Sequence, residues 1–300
     1  MDTRAKNARH DSVVVTGVGA CVLAPGNDLG DEVLPWLKSR KMRKFMGKQD
    51  ELAVIAAGRA AREAGIAAGE PTDRIGIYLA VGYIPFGRND IELLATHSID
   101  AGAFSMARFS SVGIEQVNPL LTFRCLPNMP IFHVSLNLGV CGPYFVTYPG
   151  IGQFYLALER ALAALRRGEI DQALVGGVAD QNNFLVDFHF ARHGRGEIRH
   201  DAAAVLCLER APHAASRGVA LKAELITVDL DYQTHDPANA PAFEESCRFA
   251  RHRDAPRPNS GPGSLAGMVH DAVRTRRTDE LMHSARTADG FVADSRWRIL

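Results

Sequence analysis

The chain has 300 residues, 46% of them hydrophobic and 23% charged, which is the composition of a globular protein with a sizeable core. Because 34 basic residues balance 34 acidic ones, no net charge draws it to nucleic acid or to an anionic membrane. The five cysteines include no C-x-x-C pair, which disfavours a disulfide framework or a zinc ribbon and suits a reducing cytoplasm. No apolar run reaches the length of a membrane span and residues 1–11 are polar, so we expect neither a span nor a secretory signal.

The first part of the chain predicts a strand, a helix and a second strand. Val13–Gly19 is a β-branched run that ends in glycines, typical of a buried strand that enters a tight turn. Apolar residues recur at helical spacing in Asp50–Ala64, and Gly65 follows as a helix-ending glycine. Arg74–Val81 again has the pattern of a strand, whereas 83–118 has weak periodicity and is expected to form short helices and loops. This order indicates an α/β protein whose sheet is covered on both faces.

The rest of the chain continues the alternation. We predict strands over Val140–Tyr148, Asp171–Val178, Ala202–Glu209, Leu221–Leu230 and Phe291–Ile299, and helices over Ile151–Arg167, His213–Arg217 and Ser264–Arg276. Between them, 235–262 is rich in Pro, Asn, Arg and His and has little periodicity, which predicts an irregular linker.

Three common motifs are incomplete. Gly17-Val18-Gly19 lacks the third glycine and the following helix of a dinucleotide site, so a tight turn is the better interpretation. Ser264 lies in Gly-Ser-Leu-Ala-Gly, but a nucleophile elbow needs glycine where Pro262 stands. Cys247 and His252 have no further ligands close in sequence, so we expect no metal site.

A larger set of residues at fixed spacings carries a resemblance. It consists of Val13–Ala20, Asn118-Pro119, Pro127-Asn128-Met129, His133-Val134-Ser135, Gly139, Gly142-Pro143, Arg167-Gly168, Asp171, Gly176-Gly177, Leu208-Glu209, His213-Ala214 and Arg217-Gly218. Over roughly residues 12–232 the chain resembles the β-ketoacyl synthases of the thiolase-like fold. The resemblance implies a layered α-β-α-β-α fold made of two related halves, no cofactor, and a dimer that elongates acyl chains.

At the positions that the resemblance assigns to the family's catalytic residues, this chain has side chains that cannot perform the same chemistry. The nucleophilic cysteine, nine places after Gly142, corresponds to Ile151, which cannot attack a thioester. The family has a catalytic histidine in a Ser-x-x-Gly-His-x-x-Gly segment, and the corresponding residue here is Ser264. The family's Gly-Phe-Gly-Gly gate corresponds to Gly290–Ala293, in which Phe291 is retained. Asp201 occupies the position of a family glutamate. The segment with the second catalytic histidine has no counterpart between Tyr232 and Asn259.

The sequence therefore predicts a shortened, catalytically inactive member, similar to the chain-length factors that pair with an active synthase in type II polyketide or aryl-polyene systems. Acyl carrier protein would meet it through that complex. One alternative is an active condensing enzyme with relocated residues, which would need an activated Cys125 or Cys141. Another is a homologue with an interaction role outside lipid and polyketide synthesis.

The division of the chain and the partner surface follow from the same resemblance. We expect 1–232 to form the ketosynthase-like N-terminal region, 233–259 an irregular linker, and 260–300 a remnant of the C-terminal half, in one compact domain overall. The residues expected to face the active subunit are Phe123, Leu126, Met129 and Phe132.

Overall fold

The computed structural model describes residues 12–66, 72–149, 152–192, 199–233, 244–249, 259–287 and 290–300. The strands are β1 (Val13–Leu23), β2 (Ile75–Val81), β3 (Ile99–Asp100), β4 (Ala103–Phe104), β5 (Tyr144–Thr147), β6 (Gln172–Ala179), β7 (Asp201–Arg210), β8 (Ala223–Tyr232), β9 (Glu244–Phe249), β10 (Glu280–Arg286) and β11 (Phe291–Ile299). The α-helices are α1 (Lys48–Glu63), α2 (Arg88–Ser98), α3 (Met106–Ser111), α4 (Leu121–Cys125), α5 (Met129–Leu138), α6 (Gln153–Arg166), α7 (Phe184–Arg192), α8 (Ala211–Arg217) and α9 (Ser264–Thr275).

Nine of the described strands form one sheet in the order β5-β2-β6-β7-β1-β8-β11-β10-β9, and β3 and β4 form a separate hairpin. The strands β5, β2 and β6 run parallel to one another, and every other pairing in the large sheet is antiparallel. Only the first residues of β8, Ala223–Leu225, pair with β1, whereas β11 pairs with β8 along its whole length from Ala223 to Tyr232. The sheet is therefore divided at β8 into an N-terminal and a C-terminal half.

The layers follow from which faces of the two halves are apolar. Helices α1 and α5 cover one face of the N-terminal half with a core that includes Leu52, Ile55 and Val134. On the opposite face, α6 and α9 share a second core with the inner side chains of β8, β10 and β11, among them Leu158 and Trp297. Helices α6 and α9 are thus enclosed between the two halves of the sheet, which gives the order helix, sheet, helix, sheet.

The outer face of the C-terminal half is polar. Along β11, Asp294, Arg296 and Arg298 are exposed while the alternate residues are buried. Arg298 forms an ion pair with Glu224 of β8 at 2.9 Å. In the part of the chain that the structure describes, no helix covers this face, so the shortening of the C-terminal half falls on the fifth layer of the expected fold.

The predicted elements are present, with differences at their ends. The predicted strand over Val140–Tyr148 is shortened to β5, because Gly142-Pro143 forms a turn whose Gly142 N–H donates to the Ile75 carbonyl. The helix predicted from Ile151 begins at Gln153, and residues 150–151 lie outside the described residues. The predicted linker contains β9, which pairs with β10; the rest of 234–258 lies outside the described residues.

Several elements were not predicted, α5, α7 and β10 among them. Helix α5 follows the Pro127-Asn128 turn and ends at Gly139, whose φ of 72° is left-handed and favours glycine. Helix α7 has weak periodicity, and β10 places His283 and Ala285 on its buried face, where the pattern expects large apolar side chains. No described helix is long and apolar enough to cross a bilayer.

Candidate functional site at the carboxyl ends of the parallel strands

The three parallel strands end at one edge of the sheet, the usual place for ligand sites in sheets of this kind. Tyr83 follows β2, Tyr148 follows β5 and Asp180 follows β6. Helix α6 begins beside this edge, after β5. This edge is therefore the candidate site.

Phe291 packs directly on the start of α6. A Cβ atom added to Gly152, the N-cap residue, would lie 2.8 Å from Cδ1 and 3.1 Å from Cε1 of Phe291. Phe291 is buried, and its ring also contacts Tyr232 at a centroid distance of 5.5 Å. The ring therefore packs against the N-cap residue of α6. Ile151 itself lies outside the described residues.

Ser264 is the first residue of α9 and is buried. The 3-10 turn that precedes it, Gly261–Gly263, packs so closely on Gly177 of β6 that a Cβ at Gly177 would collide with the Pro262 carbonyl. The same turn contacts α6. The structure therefore places Phe291 on α6 and the turn that precedes Ser264 in contact with the same helix.

A cluster of charged groups lies behind this turn. Lys48 Nζ donates to Asp180 Oδ1 at 3.1 Å and to Asp201 Oδ2 at 2.9 Å, and both carboxylates are almost fully buried. Asp201 Oδ1 accepts hydrogen bonds from the backbone N–H groups of Gln181 and Asn182 and from Asn182 Nδ2. Burial favours the neutral acid, but the hydrogen bonds from Lys48 and Asn182 together keep the pKa of Asp201 below its usual value.

The cluster fixes the turn in front of Ser264. Gln181 Nε2 donates to Asn259 Oδ1 at 2.9 Å, and the same oxygen accepts the Gly261 N–H at 2.8 Å. The start of α1, the end of β6 and the start of β7 are thereby joined to the C-terminal half. Sequence reasoning singled out Asp201 but missed Lys48, which precedes it by 153 positions and belongs to no recognisable motif.

Replacing Lys48 by Met should lower the free energy of unfolding by about 2–3 kcal/mol near neutral pH. Two buried carboxylates would lose their cation, although the 36% exposure of the Lys48 side chain keeps the loss below that of a fully buried pair. The loss should shrink as the pH falls and vanish only below about pH 4, because the pKa of Asp201 lies below the usual aspartate value. Urea titrations at several pH values measure this, with the exposed Lys41→Met as the matched control. Equal effects of the two variants would contradict it.

An aromatic group that the sequence did not predict lies at the same edge. The Tyr83 hydroxyl is hydrogen-bonded to His189 Nδ1 at 3.0 Å, and its ring packs edge-on against Tyr148 at 6.4 Å. Burial, with a smaller effect of Tyr148, raises the pKa of Tyr83 above its usual value. The hydroxyl therefore stays protonated near neutral pH and can serve only as a hydrogen-bonding group.

The buried cysteines are poorly suited to nucleophilic chemistry. Burial, helped by the charges of Asp90 and Asp50, raises the pKa of Cys125 to about 11. Burial also raises the pKa values of Cys21 and Cys207 to about 12. These thiols are protonated at neutral pH, whereas the thiolate is the reactive form. Cys141 is exposed, and its sulfur contacts the Gly139 carbonyl at 3.8 Å.

Three of the four predicted interface residues lie on the surface. Phe123, Leu126 and Phe132 are 46%, 49% and 46% exposed, which is unusual for large apolar side chains near one another in sequence. Met129 is only 6% exposed, because it lies at the start of α5 on the side that packs into the molecule. For Met129, burial in this chain's own structure corrects the expectation of a surface position.

Basic residues adjoin this surface. The Phe123 ring packs edge-on against Phe45 at 5.8 Å, and Lys44 Nζ lies 4.8 Å from the centre of the Phe45 ring. Arg40 and Lys41, in the 3-10 helix Arg40–Phe45, are exposed with Lys44. A mixed aromatic and basic surface therefore runs from α4 to this 3-10 helix.

Residues 30–186, more than half of the chain, match the family profile "Beta-ketoacyl synthase, N-terminal domain". The chain belongs to the β-ketoacyl synthase family. It is 23% identical over 207 residues to 3-oxoacyl-[acyl-carrier-protein] synthase 2 of Staphylococcus aureus, a match that covers 62% of this chain and 48% of that enzyme. This member of the family thus spans about half the length of the curated relatives that it matches.

Solved structures confirm the thiolase-like ketosynthase fold. A chain of AntDE:AntF, a type II acyl-carrier protein in complex with its ketosynthase bound to the hexaketide, matches with a TM-score of 0.71 and 14% identity, covering 96% of this chain and 99% of that one. A β-ketoacyl synthase from Burkholderia phymatum STM815 gives 0.69 and 15%, with coverages of 96% and 99%. The ishigamide ketosynthase/chain length factor gives 0.54 and 21%, with coverages of 77% and 65%.

Proposed function

We propose that this chain is a non-catalytic ketosynthase-like subunit of the chain-length-factor type. It pairs with an active 3-oxoacyl-acyl-carrier-protein synthase in polyketide, polyene or fatty-acid-like chain elongation and shapes the acyl tunnel of that partner. The observation that carries the proposal is the packing of the buried Phe291 on Gly152 at the start of α6. We infer that this packing leaves no room for an acyl thioester, and the residue before Gly152 in the sequence is Ile151, which cannot act as a nucleophile.

The surrounding groups support the absence of condensation chemistry. Ser264 begins α9 in the place where the family resemblance calls for a histidine, and a hydroxyl does not exchange protons near neutral pH as imidazole does. The alternative, an active condensing enzyme with relocated residues, needs an activated thiol. The raised pKa of Cys125 disfavours that alternative at the cysteine nearest to the expected partner surface.

The described surface suits a large partner. Phe123, Leu126 and Phe132 expose apolar area that is costly to leave in water. In the described residues β5 pairs with β2 alone, so one edge of this strand remains open beside the exposed Tyr144. An apolar patch together with an open strand edge favours association with another folded subunit of the same architecture.

The basic residues support contact with an acyl carrier protein in the assembled complex. Arg40, Lys41 and Lys44 make no ion pair with a described acidic residue, so their charges are available to an acidic partner. AntDE:AntF includes an acyl-carrier protein bound to its ketosynthase. The proposal extends that kind of contact to this chain.

The test is acyl loading of the isolated protein. The purified chain is incubated with acyl-carrier thioesters and malonyl carrier protein, beside an active ketosynthase as the positive control. We expect no added acyl mass in the intact protein and no release of carbon dioxide above background. A stable acyl adduct on this chain would show that it is an enzyme.

A further inference from the structure

Helix α4 covers a small cavity beneath the proposed partner surface. The cavity has a volume of about 10 Å³, roughly the room that one water molecule needs. Its walls include Gln49 and Asp50 from α1, Gly82 after β2, and Arg124, Cys125 and Leu126 from α4 and the residue after it. The cavity thus separates a buried carboxyl group from the segment that presents Phe123 and Leu126.

Asp50 is held in this cavity without a cation. It is 1% exposed, and its Oδ2 accepts the Gly47 N–H at 2.7 Å, which caps α1. The same oxygen lies 4.0 Å from His133 Nε2 of α5, beyond hydrogen-bonding distance. Among the described residues, no lysine or arginine forms an ion pair with Asp50.

The groups that face Asp50 leave its negative charge uncompensated. Burial, with a smaller effect of Glu51, raises the pKa of Asp50 to about 8, although the hydrogen bond from the Gly47 N–H lowers it. Burial lowers the pKa of His133 to about 4. His133 is therefore neutral near pH 7 and provides no positive charge beside Asp50.

On the α4 side, the facing groups are Cys125 and Arg124. A charge on Asp50 raises the pKa of the Cys125 thiol, which places the two groups within electrostatic reach of each other. The Arg124 guanidinium donates to the Lys44 carbonyl at 3.0 Å. Two buried polar atoms of the cavity wall, Gln49 Oε1 and Arg124 Nε, have no hydrogen-bond partner among the described residues. The cavity is thus already short of polar partners before any charge is added.

Helix α4 is held to the molecule by few contacts. It has five residues, and its attachments include the Arg124 hydrogen bond, the Phe123–Phe45 ring contact and the buried Cys125 side chain. A short helix of this kind can open locally at a free-energy cost far below that of global unfolding. It is therefore the element that can move when the carboxyl group beneath it changes charge.

We propose that α4 is a latch over Asp50, closed while the carboxyl group is protonated and released as that group ionises, so that pH controls the presentation of Phe123 and Leu126. The effect on subunit pairing rests on the proposed function, whereas the opening of α4 does not.

The direction of the pH effect follows from the difference between the pKa values of Asp50 in the open and closed states. In the opened state Asp50 would ionise near its ordinary value of 3.8, and in the closed state near 8. Between these two pKa values the ratio of open to closed molecules rises roughly tenfold per pH unit. Above the higher pKa value this ratio is constant. His133 acts in the opposite sense, because its lowered pKa favours opening on the acid side.

Hydrogen exchange of the amides of 119–128 tests the latch in the full-length protein, with Asp50→Asn as the matched variant. Asparagine keeps an oxygen that accepts the Gly47 N–H but cannot ionise. Because wild type and variant are compared at the same pH, the pH dependence of intrinsic amide exchange and the contribution of His133 cancel in the ratio of their rates. We expect the wild-type-to-variant ratio of exchange rates to rise more than about tenfold from about pH 5.5 to about pH 7.5. A constant ratio would overturn the proposal.

A second variant and a binding measurement complete the test. If Asp50→Asn does not fold, Asp50→Ser serves, since it also cannot ionise. Binding of an active ketosynthase is measured over the same pH range for the wild type and the variant. A rising exchange ratio without pH-dependent binding supports the latch and contradicts its role in pairing. Failure to bind at any pH contradicts the proposed function alone.

Discussion

Replacing Phe123 by Asp should abolish the complex with an active ketosynthase. The Phe123 ring is 46% exposed beside Phe45, on the surface that we propose to be buried against the partner. A carboxylate there would lose its hydration on assembly, and the nearby Lys44 would offset only part of that cost, so we expect the dissociation constant to rise at least about 100-fold. Size-exclusion chromatography with light scattering and titration calorimetry measure the change.

The control for this variant is Met282→Asp. Met282 is also an exposed large apolar residue, but it lies on β10, at the opposite end of the sheet from β5. We expect that variant to assemble normally. If the two variants weaken assembly equally, or if neither does, the partner surface lies elsewhere.

Phe123→Ala should leave the complex intact and change the length of its product, because a side chain that limits the partner's tunnel becomes shorter.

Ile151→Cys should not restore condensation. The variant supplies a thiol, but Ser264 still stands where the family has a histidine. Groups of this kind act as a unit, so we expect turnover to remain at least about 10³-fold below that of an active synthase. Carbon dioxide release and product formation from malonyl carrier protein measure turnover.

A double variant separates the remaining causes. By the family resemblance, Ile151→Cys with Ser264→His restores two of the three catalytic residues, and we expect the segment with the second histidine to have no counterpart between Tyr232 and Asn259. We expect the double variant to be as inactive as the single one. Condensation within roughly tenfold of an active synthase, in either variant, would mean that this fold retains a working site.

The N-terminal half was largely predictable because its signals are local. The β-branched run at Val13 forms β1, and the apolar spacing of Leu52 and Ile55 forms α1, whose inward face fills one core. Glycines at the ends of elements act through backbone geometry, as at Gly65, which has a positive φ and follows the end of α1. Short-range patterns of this kind do not depend on which residues meet later in space.

The missed features depend on contacts between distant residues. Lys48 has no distinguishing neighbours in sequence, and its role appears only when the ends of β6 and β7 bring Asp180 and Asp201 to the start of α1. Strand β10 was missed because Leu281 is the one large aliphatic side chain on its buried face. His283 on the same face is accommodated by a buried hydrogen bond with the Tyr155 hydroxyl at 2.7 Å.

The resemblance predicted an abbreviated C-terminal half but gave no reason that this half could be shortened. Among the described residues no helix covers the outer face of this half, and the structure supplies a reason that this half tolerates water. Its outer face carries cross-strand polar pairs, Arg298 with Glu224 and Ser284 with Asp294, in place of apolar side chains. Such a face is compatible with water and needs no cover.

The composition and acylation state of a co-expressed complex show directly whether this chain is a non-catalytic partner. The chain is produced together with a candidate active ketosynthase, and native mass spectrometry is recorded before and after loading with an acyl-carrier thioester. We expect a heterodimer in which the acyl group is attached only to the active subunit. An acyl group covalently attached to this chain would show that it is catalytic, and its failure to join any active ketosynthase would show that it is not a subunit of this kind.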